Sequence, residues 1–138
     1  MPSKKVKNAV AERANYICEY CICPLLLSSF PFSVEHIVPI VKEGSNEMDN
    51  LAFACQGCNN FKYTLTEAID PITGQLAPIY NPRKDAWKEH FKWNDDFTEM
   101  LGISPTGRAT ISKLKLNREG VVNQRKLLKN WNLHPPEK

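Results

Sequence analysis

Two closely spaced cysteine pairs constrain the fold of this chain more than any other feature. Cys18 and Cys21 form one C-x2-C pair, and Cys55 and Cys58 form a second pair after thirty-three intervening residues. A C-x2-C turn points two thiolates in the same direction, so two such turns together supply the tetrahedral shell that structural zinc prefers. The spacing therefore predicts a four-cysteine zinc site that joins two distant segments of the chain.

The N-terminal sequence bears on the other states that these cysteines could adopt. It reads MPSKKVKNAV and lacks the apolar core of a secretion signal. We therefore expect a cytoplasmic protein without a disulfide framework, and buried free cysteines or a redox pair are the alternatives to zinc. The fifth cysteine, Cys23, is poorly spaced from Cys21 for a shared ligand shell and is expected to be a buried thiol.

Length and charge limit the number of domains and the kinds of partner that the chain can have. The chain has 138 residues, which leaves room for one domain and a small appended element. Eighteen basic residues against fifteen acidic ones give a net charge of +3, which permits nucleic-acid binding without requiring it. No apolar run approaches the roughly 20 residues of a membrane-spanning helix, so no membrane partner is expected. Nothing in the sequence indicates the oligomeric state.

Local composition predicts the helices and strands. Residues 4–14 contain no helix breaker and predict a first helix. The β-branched residues of 32–40 predict a strand, and 51–54 a short apolar strand that leads into the second cysteine pair. A further helix is expected to begin at Asn59 and to end before Pro71. In the C-terminal half, the predicted elements are strands at 76–80 and 91–93 and helices over 81–87, 106–114 and 119–130.

Polar residues typical of a hydrolytic site lie between the two cysteine pairs. Glu35 and His36 are adjacent on the predicted strand, Asn50 follows fourteen residues after His36, and Asn59 comes directly after the second pair. A zinc ion that joined the two pairs would clamp the strands against the following helix. We therefore expect Glu35, His36 and Asn59 to share one small site, although a lone His on a strand is usually structural.

This segment resembles the HNH endonucleases, whose fold is a two-stranded β-hairpin packed on one helix around a metal. The matching motif positions are Glu35, His36, Ile37, Pro39, Gly44, Asn50, Leu51, Cys55, Cys58, Asn59 and Lys62. Together with the upstream cysteine pair, which resembles that of members with a structural zinc, the match covers about residues 11–63. The second half resembles a C-terminal extension of some bacterial members through Asn81-Pro-Arg, Trp87, His90-Phe91, Trp93 and Gly107-Arg-Ala.

The resemblance implies a single α+β domain over residues 1–138. Its zinc-stapled ββα-metal core would cover about 11–68, with an N-terminal helix and a mostly helical C-terminal extension over about 69–138. His36 is the implied general base, since an unperturbed imidazole is largely neutral at cellular pH. Glu35 and Asn59 are the implied oxygen ligands of a catalytic Mg²⁺ or Mn²⁺ ion. Glu35 stands where the family most often has Asp, which can change the placement or the choice of ion.

Two further motif residues complete the implied site. Asn50 is expected to hold the loop and orient His36, with a plain turn residue as the alternative. Lys62 lies three residues after Asn59, on nearly the same helix face, and either contacts phosphate or is an ordinary exposed lysine. Basic residues between Arg108 and Lys129 indicate either a phosphate-contacting surface or a solvated helical face.

The function implied by the resemblance is metal-dependent hydrolysis of phosphodiester bonds in DNA. Zinc would be the structural ion, and Mg²⁺ or Mn²⁺ the catalytic one. Two alternatives stay open: a zinc-dependent nucleic-acid-binding module with little catalysis, and a nuclease that cuts RNA. The first is disfavoured because binding alone does not need Glu35, His36 and Asn59 together. No residue distinguishes DNA from RNA as the substrate.

Overall fold

The computed structural model describes residues 2–136, which divide into two units. Within the described residues, unit 1 comprises 2–66 and 81–85, and unit 2 comprises 67–80 and 86–136. Both units combine helices with two-stranded antiparallel sheets. The predicted α+β class is confirmed.

Unit 1 is built on one hairpin and two helices. Its elements are helix α1 (Lys4–Arg13), strand β1 (Ser33–His36), strand β2 (Leu51–Ala54) and helix α2 (Gln56–Lys62). Strands β1 and β2 pair antiparallel. The apolar side of α1 contributes Val10 and Ala11 to a buried cluster with Leu51 and Phe53 of β2. This packing places α1 against the strand that leads into the second cysteine pair.

Two boundaries in unit 1 differ from the predicted ones. Strand β1 ends at His36 rather than at residue 40, because Pro39 introduces a 3-10 turn. Helix α2 begins three residues before Asn59, since Cys55 caps it: the Cys55 sulfur accepts a hydrogen bond from the N–H of Cys58. The cysteine turn is therefore also the first turn of the helix.

Unit 2 contains two hairpins and three helices. In chain order its elements are β3 (Glu67–Ile69), β4 (Leu76–Pro78), α3 (Trp87–His90), β5 (Phe91–Trp93), β6 (Met100–Gly102), α4 (Pro105–Leu114) and α5 (Glu119–Asn130). Strand β3 pairs with β4, and β5 pairs with β6. Ser104 caps α4 by accepting a hydrogen bond from the N–H of Gly107, which confirms the predicted helix start.

The helix predicted over residues 81–87 is wrong. The side-chain oxygen of Asn81 accepts hydrogen bonds from the N–H groups of Arg83 and Lys84, which closes an Asx turn instead of a helix. The helix of this region, α3, begins at Trp87. Among the described helices, none has the length and apolar character needed to cross a bilayer.

An ion pair between a buried aspartate and a partly exposed arginine joins the end of β3 to α4 in unit 2. The Arg108 guanidinium of α4 donates to both carboxylate oxygens of Asp70 at 2.9 Å, and Asp70 follows directly after β3. Close backbone packing supports the same helix, because a Cβ on Gly107 would lie 2.0 Å from the carbonyl oxygen of His90. The hydrogen bond from Arg108 holds the pKa of Asp70 below its usual range, against the effect of its desolvation.

Replacement of Asp70 by Asn is expected to lower the melting temperature by several degrees at pH 7. The depressed pKa means that Asp70 contributes stability above its unfolded pKa of about 3.9, and that this contribution is lost as pH falls through its lower folded pKa. The difference in melting temperature between wild type and Asp70→Asn should therefore shrink below about pH 4. The matched control is Asp95→Asn at an exposed position. An Asp70→Asn protein as stable as wild type at pH 7 would contradict the assigned role.

Candidate functional site

The two cysteine pairs meet in one cluster. The sulfur atoms of Cys18, Cys21, Cys55 and Cys58 all lie within 4.8 Å of one another, and three of these residues are buried while Cys55 is half-buried. Cys55 stands at the junction of β2 and α2, so the strand and the helix both position its thiol. The cluster has the ligand type, number and convergence that structural zinc requires.

The electrostatics of the cluster also fit a cation. Burial raises the pKa of the Cys18 thiol, whereas hydrogen bonds from the neighbouring thiols, Cys18 first, hold the pKa of Cys55 far below its usual range. Because coordination deprotonates thiols, zinc would hold all four sulfur atoms as thiolates and offset part of their negative charge.

Cys23 lies outside this cluster of four. It is buried, as expected, and its carbonyl oxygen accepts a hydrogen bond from the N–H of Cys18 at 2.9 Å. Its backbone therefore shapes the first cysteine turn.

Glu35 and Lys62 contact each other in the interior of unit 1. Lys62 Nζ lies 2.5 Å from Glu35 Oε1, with the Lys62 side chain 1% exposed, and it donates to the carbonyl oxygen of Ile37 at 2.9 Å. The second carboxylate oxygen, Oε2, accepts a 2.7 Å hydrogen bond from the hydroxyl of Tyr20. The alternative of an ordinary exposed lysine is therefore wrong for Lys62, and Glu35 is buried as well.

The carboxylate of Glu35 is bound at both of its oxygens. Desolvation raises the pKa of its carboxyl group, while Lys62 and Tyr20 act in the opposite direction. Oε1 contacts the Lys62 ammonium and Oε2 the Tyr20 hydroxyl, so each oxygen has a partner. Oε1 is therefore an oxygen that binds a cation, and a divalent ion held there would take the place of the Lys62 ammonium.

Asn59 lies on α2, the helix that also carries Lys62. It is half-buried and precedes Lys62 by three residues, so the two share a helix face. Among the described residues, no hydrogen bond or ion pair engages the Asn59 side-chain amide or joins it to Glu35. Within the described part of the chain, its amide oxygen is therefore available as a hard ligand.

His36 has a different partner from the expected one. Successive strand residues point to opposite faces, so His36 is directed away from its buried neighbour Glu35. Its Nε2 atom lies 2.8 Å from the side-chain oxygen of Asn46. No direct contact among the described residues links His36 with Glu35 or Asn59, although all three belong to the hairpin and helix of unit 1.

The side chain of Asn50 fixes the conformation of the loop that follows His36. Its side chain accepts from the N–H of Val38 at 2.9 Å and donates to the carbonyl oxygens of Val38 and Ser45 at 2.9 and 2.8 Å. Gly44 permits this closure, because a Cβ there would lie 1.7 Å from the Val38 oxygen. Asn50 thus shapes the loop that carries Asn46, the partner of His36.

Sequence reasoning missed two residues of this site, Tyr20 and Asn46. Tyr20 lies inside the first C-x2-C turn, where only the cysteines had a recognisable role. Asn46 lies in a polar loop whose conformation depends on Asn50 and Gly44. Both contacts join residues ten or more positions apart, and local pattern carries no signal for them.

Comparison with known proteins agrees with the geometry. Residues 18–64 match the model of the family described as HNH endonuclease. The Septu protein PtuB of Bacillus thuringiensis is 30% identical over 137 residues, which are 96% of this chain and 49% of that protein. The chain thus spans about half the length of this relative. No solved structure matches the chain. The match covers both cysteine pairs and every predicted site residue, so residues 18–64 of this chain are similar to the HNH endonucleases.

Proposed function

We propose that this chain is a metal-dependent nuclease that hydrolyses phosphodiester bonds, with DNA as its substrate. The observation that carries the proposal is the buried Glu35 carboxylate, which Tyr20 and Lys62 hold within the segment that matches the HNH model. Binding of nucleic acid alone does not require a buried acidic group, because burial of a carboxylate is costly and its charge does not attract phosphate. We further propose that both units serve a single nuclease domain, with unit 2 as the extension of the core.

The proposed ligands of the catalytic ion are Glu35 and Asn59. A carboxylate and an amide oxygen form a hard donor set that suits Mg²⁺ or Mn²⁺ and leaves positions for water and phosphate. When bound, such an ion stabilises negative charge on the scissile phosphate and on the leaving oxygen. The buried position of Lys62 favours a role as counter-ion of Glu35, and a phosphate contact would require it to leave this pair.

His36 is proposed as the general base. With the oxygen of Asn46 as acceptor, Nε2 carries the proton of the neutral imidazole, and Nδ1 keeps its lone pair. Nδ1 can then take a proton from the attacking water. Asn50 acts indirectly, because it holds the loop that carries Asn46.

The cysteine cluster is proposed to hold one structural zinc ion. Apparent zinc binding contributes about 10–16 kcal/mol in small zinc-finger peptides, which is comparable to the whole net stability of a domain. Purified protein should contain one zinc per chain by elemental analysis, and Cys58→Ser should lose both zinc and cooperative melting. Cys23→Ala is the matched control and should keep one zinc. Folded protein that contains less than one zinc per chain would contradict the site.

Two substitutions separate the base from the metal ligand. His36→Ala should lower the cleavage rate by about 100- to 10,000-fold, the usual contribution of base catalysis, at any metal concentration. Asn59→Ala should also cut slowly, but higher Mg²⁺ or Mn²⁺ should partly restore its rate because it loses a ligand. The measurement is the cleavage rate of plasmid DNA against metal concentration, with thermal melts as the folding control.

The same assay tests the function itself. Wild-type protein should cut DNA in the presence of Mg²⁺ or Mn²⁺, and a parallel reaction on RNA of the same sequence tests the choice of substrate. A His36→Ala protein that melts normally and cuts at the wild-type rate would refute the mechanism. Cleavage of RNA alone would replace DNA as the proposed substrate, and binding of either without cleavage would favour the binding module.

A further inference from the structure

Tyr20 connects the cysteine cluster to the buried carboxylate. It lies between Cys18 and Cys21 in the first C-x2-C turn, and it is itself buried. Its hydroxyl donates to Glu35 Oε2 at 2.7 Å. One side chain thus spans from the proposed zinc site to a proposed ligand of the catalytic ion.

The turn that carries Tyr20 is also bound to the hairpin through hydrogen bonds that do not involve Tyr20 itself. The neighbouring residue, Glu19, donates its N–H to the carbonyl oxygen of Phe53 at 2.9 Å, and its carboxylate accepts from the N–H of Phe53 at 2.8 Å. Phe53 belongs to β2, which pairs with the strand that carries Glu35. The hydroxyl of Tyr20 is therefore held at a defined position relative to the carboxylate.

The two oxygens of Glu35 consequently have separate roles. Oε2 is bound by the Tyr20 hydroxyl, while Oε1 is the oxygen presented to cations, here the ammonium of Lys62. Rotation of the carboxylate that withdrew Oε1 would break the hydrogen bond at Oε2. Its Oε1 lone pairs are thereby kept directed at the cation position.

We propose that Tyr20 is a positioning residue, which orients Glu35 for divalent-ion binding and couples the zinc-binding turn to that site. This inference rests on the proposed function, since it takes Glu35 as a metal ligand. Removal of the hydroxyl would leave Oε2 buried without a donor and the carboxylate free to rotate. Loss of a hydrogen-bond partner of a metal ligand typically weakens metal affinity by about 10- to 100-fold.

The test measures Mn²⁺ binding rather than cleavage. Zinc-loaded full-length wild type, Tyr20→Phe and Tyr16→Phe are titrated with Mn²⁺, and free Mn²⁺ is followed by electron paramagnetic resonance. Tyr16→Phe removes a hydroxyl from an exposed tyrosine near the same turn and is the matched control. Glu35→Gln removes the charge of the proposed ligand, so the Mn²⁺ binding that this variant loses is the binding that belongs to this site. Four thiolates prefer zinc to Mn²⁺, so the zinc site does not contribute.

Tyr20→Phe should bind Mn²⁺ about 10- to 100-fold more weakly than wild type, whereas Tyr16→Phe should bind it equally well. Tyr20→Phe should also keep one zinc per chain, and its cleavage rate should approach that of wild type at saturating Mn²⁺, since the loss lies in binding. Unchanged Mn²⁺ affinity in Tyr20→Phe would overturn the proposal. So would the loss of zinc from this variant, or the absence of Glu35-dependent Mn²⁺ binding in wild type. Wild type that binds Mn²⁺ through Glu35 and Tyr20 but cuts no nucleic acid would refute the proposed function alone.

Discussion

The structure of unit 1 depends on the convergence of four thiols from two segments that are distant in sequence. The apolar cluster between α1 and β2 has Val10, Ala11, Leu51 and Phe53 as its buried members. A cluster of that size contributes only modest stability by itself. The cysteine cluster also joins the first turn, the hairpin and α2, and a bound zinc ion would offset the mutual repulsion of its thiolates.

The same cluster places the remaining functional groups. Cys55 caps α2, and α2 carries Asn59 and Lys62, so the start of the helix sets the position of both. The first cysteine turn places the Tyr20 hydroxyl against Oε2, the Glu35 oxygen that does not contact Lys62. A buried ion pair such as Glu35–Lys62 is costly to desolvate and gives little net stability. Its presence is better explained by the orientation of a carboxylate than by stabilisation of the fold.

Much of this arrangement could be predicted from the sequence, because it is encoded in local spacing. The cysteine pairs, the order of the motif residues and the capped start of α4 all depend on residues a few positions apart. The predicted bounds of β2 and α5 agree with the structure for the same reason. The predictions failed where a distant contact or a single side chain decided the outcome. At Asn81, the side chain closes an Asx turn where a helix was predicted. Lys62 is buried because it pairs with Glu35 on β1, whereas its sequence position also allowed an exposed lysine.

The central claim is that the protein holds two metals at two separate sites, one on sulfur and one on oxygen. Anomalous diffraction from a crystal soaked in Mn²⁺, with data collected at the zinc and manganese edges, tests this claim most directly. The account predicts a zinc peak among the sulfur atoms of Cys18, Cys21, Cys55 and Cys58, and a manganese peak beside Glu35 Oε1 and the side-chain oxygen of Asn59. A manganese peak elsewhere, with Glu35 still paired to Lys62, would contradict it.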